Sequence, residues 1–430
     1  MTTRYRLALV DAGLDWIGPV PAQWQVRRLG HYFEERRVKV SDKDFAPLSV
    51  TMKGVVPQLE NVAKTDDGDN RKLVRSGDFV INSRSDRKGS GGIAPRDGSV
   101  SLINTVLATQ AGMRSQFASY LLTSYPFQEE FYRVGNGIVA DMWTTKYGEM
   151  KNIRLAVPSL PEQDAIVAYL DRTTTRIDTL VAKKTRFIEL LREKRQALIT
   201  HAVTKGLDPN VPMKDSGVEW LGKVPADWKV VSLKRIGRLK GGSVFPPNLQ
   251  GRPENDLPFF KVGDLGKSPD GQHLGDTENT ITHGEAKELG ATVFPADALV
   301  WAKIGAALSL NRRRITTRPS CLDNNMTGFV PDTTLVSTRY CFYLMSSVDF
   351  TVHAKPGAVP SFSEGDQGEL HISLPPKKLQ NAIVIHLDRA TSRIDTLIAK
   401  TERSIELLRE HRTALITAAV TGKLDLRPAA

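Results

Sequence analysis

A chain of 430 residues, 40% hydrophobic and 25% charged, is too long for one ordinary core, and its length points to about two to four domains of a soluble protein. It contains no apolar run of about 18 residues, which excludes a spanning helix; the opening residues lack the apolar stretch and cleavage site of a secretion signal. The net charge of +11 favours a polyanionic partner, because each neutralised phosphate releases condensed counterions.

The first recognisable element is a short motif, Asp11-Ala-Gly-Leu-Asp-Trp16-Ile-Gly-Pro-Val-Pro21-Ala-Gln-Trp24. Residues 30–160 then read as mixed α/β with short strands. Phe79-Val80-Ile81 follows a Ser-Gly-Asp turn, a helix is expected from Ser115 to Arg133, and a last strand from Ile153 to Val157. Within this region Asn82, Arg84, Arg87, Lys88 and Ser90 form the densest set of base-reading and phosphate-anchoring types. Arg and Lys match guanine edges and Asn matches adenine. The same stretch also reads as a solvated basic loop. Trp143 with Lys146 pairs an aromatic ring with a cation, a combination that stacks and neutralises nucleic acid, or else a packed tryptophan.

A helix of unusual length follows over 161–207. Ile166, Leu170, Ile177, Leu180, Val181, Ile188, Leu191 and Leu198 fall at helical spacing, no Gly or Pro interrupts them, and Gly206 stands near the end. Such a helix, roughly 60 Å long at 1.5 Å per residue, cannot bury its apolar stripe alone.

The order then repeats. The motif returns as Asp215-Ser-Gly-Val-Glu-Trp220-Leu-Gly-Lys-Val-Pro225-Ala-Asp-Trp228, inside a segment 208–376 that comprises a linker and a second variable region. Here Leu299-Val300-Trp301 reads as a strand, Thr338 to Val352 as a helix and Ile372 to Leu374 as a last strand. The DNA-contact candidates are Lys303, Asn311, Arg312, Arg313, Arg314, Asn324 and Asn325, with Ser361 and Ser363 as phosphate contacts. The arginine run also reads as an exposed charge run and the asparagines as turn residues. A second long helix is expected over 377–423. Residues 164–208 and 381–425 agree at about 70% of positions without a gap, far more than shared helical composition produces.

Near-identical helices around dissimilar regions imply one job done twice and two jobs done differently. The division expected is a first globular domain over 1–160 with its motif at 11–29, a spacer helix over 161–207, a linker and second globular domain over 208–376 with its motif at 215–233, and a spacer helix over 377–423. The fold class expected is mixed α+β: two globular α/β domains in pseudo-twofold arrangement, joined by two long helices that form an antiparallel coiled coil. Trp16, Trp24, Trp220 and Trp228 are read as structural, pinning the repeated motif against its domain or the helices.

Catalytic inventories are missing. Gly266-Lys-Ser lacks the glycine five residues earlier that a phosphate loop requires, since Lys261 stands there. Gly89-Ser-Gly-Gly92 reads as a turn, no Asp/Asn-Pro-Pro-aromatic tetrapeptide occurs, and the eight histidines have no metal-ligand spacing. Cys321 and Cys341 are too few for a disulfide framework and read as reduced, buried thiols of a cytoplasmic protein.

The paired D-x-G-x-x-W-x-G-x-x-P-x-x-W motifs, two dissimilar regions and two near-identical helices resemble the specificity subunit of type I restriction–modification systems. Leu160-Pro-Glu-Gln163 is similar to the family's junction before the helix, and Ser76-Gly-Asp-Phe-Val-Ile81, Lys303-Ile-Gly-Ala306, Asp323-Asn-Asn325 and Gly357-Ala-Val-Pro-Ser361 are similar to its typical stretches. The second junction departs from the pattern, with Pro375-Pro-Lys-Lys-Leu-Gln380 in place of Leu-Pro-Glu-Gln. The resemblance implies a non-catalytic DNA-binding subunit whose two domains each read half of a bipartite, asymmetric site. Its helices would set the gap and dock two methyltransferase subunits, with restriction subunits joining them. It implies no cofactor on this chain, S-adenosylmethionine in the methyltransferase, and ATP with Mg in the restriction subunit. The competing readings are a DNA-targeting subunit of another modification or defence system, and a coiled-coil scaffold that reads no DNA.

Overall fold

The computed structural model describes residues 8–59, 68–84, 87–139, 143–355, 357 and 359–426. The chain divides into two compact units, one made of Met1–Thr185 with Glu402–Ala430 and the other of Arg186–Thr401. This division cuts both long helices, which run over Leu160–Lys205 and Lys377–Val420. Each helix gives one half to each unit. A helix carrying an apolar stripe along its whole length is stable only if all of it is covered, so both halves are drawn into cores.

In the first unit a four-stranded antiparallel sheet has the order Gly91–Ile93, Phe79–Asn82, Asn104–Thr109, Phe33–Glu35. A three-stranded sheet, Gly98–Val100, Arg71–Val74 and Lys39–Val40, lies in the same unit, and Leu48, Val55, Val74, Val80, Val100 and Val106 form one of its cores. Strand Gln25–Arg28, which continues the first motif, pairs antiparallel with Arg154–Val157, the last strand before the long helix. The motif thereby ties the beginning of the variable region to its end.

The second unit repeats this plan. Its four-stranded sheet runs Gly237–Gly241, Met326–Pro331, Leu299–Ala302, Arg313–Ile315, and strand Lys229–Ser232 pairs with His371–Leu374 as its counterpart does in the first. Trp301, Phe329, Tyr340, Tyr343 and Phe350 fill its largest core.

Two expected helices are interrupted. Ser115 to Arg133 forms Ser115–Thr123 and Tyr125–Arg133, separated by extended backbone at Ser124, with Pro126 in the first turn of the second piece. Thr338 to Val352 ends at Ser347 and resumes as Phe350–His353, whose N-cap Asp349 accepts the Thr351 N–H.

Within each unit the two long-helix halves run antiparallel. In the first, Ile166 and Leu170 share a core with Ala419 and Val420, and Arg412 meets Asp178 at 3.0 Å. In the second, Ile199, Ala202 and Val203 share a core with Ile383 and Leu387, and Arg195 meets Asp395 at 2.9 Å. Both helices stop at a glycine in the left-handed region, Gly206 at φ 81° and Gly422 at φ 72°, where only glycine escapes a Cβ clash. No described helix is long and apolar enough to cross a membrane.

Cys321 and Cys341 are both buried and unbonded to each other. Burial pushes the Cys321 thiol up to about 11 and raises Cys341 further, so neither forms the reactive thiolate at neutral pH. Native protein at about pH 7.5, roughly a unit below the pKa of an ordinary thiol, should therefore leave a thiol-specific chromogenic disulfide unreacted, and both thiols should titrate after denaturation.

Candidate nucleic-acid interface

Each variable region is fastened to its long helix by the same set of side chains. Gln163 is fully buried: its amide donates to the carbonyls of Gly112 (2.8 Å) and Pro158 (3.0 Å) and accepts the Arg114 N–H at 2.8 Å. Gln380 donates to Leu335 (2.9 Å) and Pro375 (3.0 Å) and accepts from Ser337 N–H at 2.9 Å. About two turns further on, Tyr120 donates its hydroxyl to Asp171 at 2.6 Å, and Tyr343 donates to Asp388 at 2.6 Å. The departing second junction therefore keeps the glutamine that does the fastening. What it changes is the preceding residue: Glu162 accepts the Trp24 indole N–H at 3.0 Å, whereas Leu379 packs on the second core. Replacing Gln163 with alanine leaves buried backbone groups unmatched and should destabilise the first unit by about 2 kcal/mol. Accelerated amide exchange in Ser115–Thr123, with Thr338–Ser347 unchanged, is the measurement that checks it.

The motif tryptophans face the helix ends and the last strands. Trp24 and Trp228 are buried, Trp24 beside Gly422 and Trp228 beside Gly206. Trp16 and Trp220 donate their indole N–H groups to the carbonyls of Arg154 (3.3 Å) and His371 (3.2 Å).

In the first unit the two candidate stretches meet. Thr144 forms a β-bridge with Arg84, and Arg84 and Lys146 line one cleft of about 620 Å³ together with Arg37, Lys39, Lys72, Glu35 and Glu149. Glu35 pairs with Arg37 at 2.7 Å and with Lys72 at 3.2 Å. Among the described residues, Lys39, Arg84 and Lys146 have no ion-pair partner. Lys39 stands directly opposite Lys72 across two strands, an arrangement that costs repulsion unless an anion lies between or above them. The rest of the first stretch is placed differently. Asn82 is buried and accepts the Arg84 N–H at 3.0 Å, Ser90 is buried, and Lys88 is paired with Glu129 at 2.5 Å while lying over the Tyr132 ring. Arg87 is exposed. Trp143 is half-buried and donates to the Tyr132 carbonyl at 2.9 Å, the packed arrangement.

In the second unit the candidates separate into three groups. Lys303, Asn325 and Ser361 come together: the Lys303 N–H donates to the Asn325 carbonyl at 2.9 Å, and Ser361 bridges Ile304. Asn324 is exposed at the tip of the adjoining turn. Arg312 is exposed beside Gly266, and Arg314 is half-buried on the sheet edge. Arg313 belongs to the interior, and half-buried Asn311 is held against it. Arg313 is 3% exposed, lies 3.6 Å from the Phe350 ring centroid and donates to the Val348 carbonyl at 3.1 Å. Burial pushes its guanidinium down to about 9. Asn311, at φ 49°, donates to Asp349 at 3.1 Å and accepts from Arg313 at 3.0 Å. Arg313, expected as a DNA contact, is thus taken up by the core, and the Asn311 side chain is occupied by Asp349 and Arg313. Ser363 is the N-cap of Glu364–Gly368, so its hydroxyl serves the helix.

Arg37, Lys39 and Lys72 are the cleft residues that sequence inspection passes over. Arg37 and Lys39 sit two apart beside a strand, a period that places both on one face, and this was the available signal. In the second unit Arg238 and Lys240 have the same spacing, are exposed on an edge strand, and lead into Gly241 beneath the Lys303 ammonium.

A family model for the type I restriction modification DNA specificity domain matches residues 225–407. The MjaVIII type I restriction enzyme specificity subunit of Methanocaldococcus jannaschii is 21% identical over 95% of this chain and 94% of its own length. The EcoDI specificity subunit of Escherichia coli is 21% identical over 47% of this chain and 40% of its own. Among solved structures, a chain of a type I R-M system studied for complex assembly and conformational transition superposes with a TM-score of 0.72 at 16% identity, covering 94% of this chain and 99% of that one. The HsdS subunit from Thermoanaerobacter tengcongensis gives 0.54 at 17% identity, covering 94% and 98%. The family model spans the second variable region and most of its helix, and the internal repeat carries the same plan into the first half. On these grounds residues 225–407 match a type I restriction modification DNA specificity domain, and the chain along nearly its whole length is similar to the specificity subunits of type I restriction–modification systems.

Proposed function

We propose that this chain reads DNA for a type I complex without catalysing any step itself. Each variable region recognises one half of a bipartite, asymmetric site. The long helices set the unread gap and dock two methyltransferase subunits, and restriction subunits join that assembly. Methyl transfer from S-adenosylmethionine to adenine belongs to the methyltransferase, and cleavage driven by ATP with Mg belongs to the restriction subunit.

The observation that carries this reading is the contrast inside each unit. The fastening through Gln163 and Tyr120 recurs through Gln380 and Tyr343, while the cations gathered beside that common frame are not the same set: Lys72, Arg84 and Lys146 in the first unit, Lys303 and Arg312 in the second. A frame kept constant under changing surfaces is what two readers of different sequence require. The helices add support for paired docking. Leu180 and Leu407 are exposed in the first unit, and their repeat counterparts Leu397 and Leu190 in the second. An apolar residue exposed at the same repeat position in both copies fits one kind of partner bound twice.

Single-molecule methylation sequencing of host DNA, with and without the gene, tests the proposal. Loss of one bipartite adenine-methylation motif on deletion supports it and reveals both half-sites. An unchanged methylome, with a functional methyltransferase present, points to a scaffold that does not read DNA. Exchanging residues 30–160 for those of another family member should change one half-site alone.

A further inference from the structure

Both variable regions carry a loop closed in the same way at its base. In the first unit Asn136 and Thr144 exchange backbone hydrogen bonds (3.0 and 2.9 Å), and the Thr145 N–H donates to the Ser83 carbonyl at 3.0 Å. In the second, Lys355 and Ser361 exchange theirs (2.8 and 3.5 Å), and the Phe362 N–H donates to the Lys303 carbonyl at 2.9 Å. Ser83 and Lys303 each follow directly on a central sheet strand, Phe79–Asn82 and Leu299–Ala302. Bonds of this kind fix the base of each loop to a central strand, whereas most surface loops are mobile.

What the two loops hold out is apolar and β-branched. Ile138 is 93% exposed, Val139 is 53% exposed and Val359 is 57% exposed. Single exposed apolar residues are ordinary on protein surfaces. Recurrence at one place in two otherwise dissimilar regions is not, least of all beside cations. Arg84 and Lys146 flank the first loop's base, and Lys303 flanks the second.

We propose that these apolar tips are wedges that enter the base stack, unstacking one step in each half-site while the neighbouring cations hold the phosphates. The inference rests on the DNA-reading function above and adds a mechanism to it. Stiff apolar side chains inserted between base pairs unstack the step and kink the duplex. The cost depends on the step, least at pyrimidine–purine steps, so a wedge adds sequence preference where no hydrogen bond is made.

The test uses the chain assembled with its methyltransferase subunits, and duplexes carrying 2-aminopurine at each purine of the site except the methyl-acceptor adenine. Binding should brighten one position in each half-site severalfold. Val359→Ser should abolish the brightening in one half-site, and Ile138→Ser with Val139→Ser in the other, while Val359→Ile retains it. Thermal melts of all variants establish that they fold. Specific binding without brightening, or brightening unchanged in the serine variants, overturns the wedge and leaves the reading function standing. Loss of the co-purifying methyltransferase from the serine variants assigns the tips to the partner and overturns it as well. Absence of any sequence-specific binding by the unaltered complex overturns both.

Discussion

Gly422→Ala should destabilise the first unit by about 3–4 kcal/mol, well beyond the effect of the matching change in the second. A Cβ at Gly422 would lie 2.2 Å from Pro21 Cδ and 3.2 Å from the Trp24 ring, and φ there is 72°. The left-handed backbone alone costs an alanine about 1–2 kcal/mol. The ring of Pro21 is fixed to the backbone and cannot swing aside, so relieving the contact must move the motif from the helix end. That movement adds an overpacking cost of about 1–3 kcal/mol. At Gly206 the backbone is equally left-handed at 81°, yet the nearest atom to a built Cβ is 3.4 Å away on Trp228. Gly206→Ala should therefore cost only about 1–2 kcal/mol. Urea unfolding followed by limited proteolysis, which reports each unit separately, measures both. Equal losses would show that the close approach of Pro21 to the helix end contributes nothing.

The triple substitution Lys39→Ala, Arg84→Ala, Lys146→Ala should weaken DNA binding about a hundredfold at 0.15 M salt and flatten the log–log salt dependence by about 3. The reasoning is counterion release: each phosphate contact contributes about 0.9 to that slope. These three cations line one cleft without a carboxylate partner among the described residues, so their charge is available to a phosphate. The bases preferred at the half-site read by the second unit should not change. Arg96→Ala with Lys43→Ala, exposed cations that do not line the cleft, provides the control. A slope unchanged by the triple substitution would remove the cleft from the interface.

Much of the architecture is legible in the residues because its causes are local. An uninterrupted apolar period with Gly206 and Gly422 behind it marks helices that run over Leu160–Lys205 and Lys377–Val420. Strands around Phe79 and Leu299 are equally readable from short apolar runs after turns. The interface is legible only in part, because it depends on strand pairing between distant residues. Nothing near Lys39 in the sequence indicates that Lys72 stands opposite it. The run Arg312-Arg313-Arg314 looks uniform, yet the strand Arg313–Ile315 alternates its sides. Arg313 lies opposite Trp301 and turns inward with Ile315, while Arg314 stays half-exposed. Knowing that this run was a strand would have separated the three. The break at Ser124 follows from Pro126, which fits the start of a helix better than its middle.

The division of the long helices also decides when each part of the molecule can be finished during synthesis. Arg186–Thr401 is one continuous stretch and has its whole core once that stretch has left the ribosome. The first unit emerges earlier but must wait, because Leu14, Ile17 and Leu170 share their core with Ala419 and Val420. Translation at about 5–20 residues per second keeps that apolar surface open for on the order of ten seconds or more. The part made first is completed last, and through that interval it is the part a chaperone would have to shield.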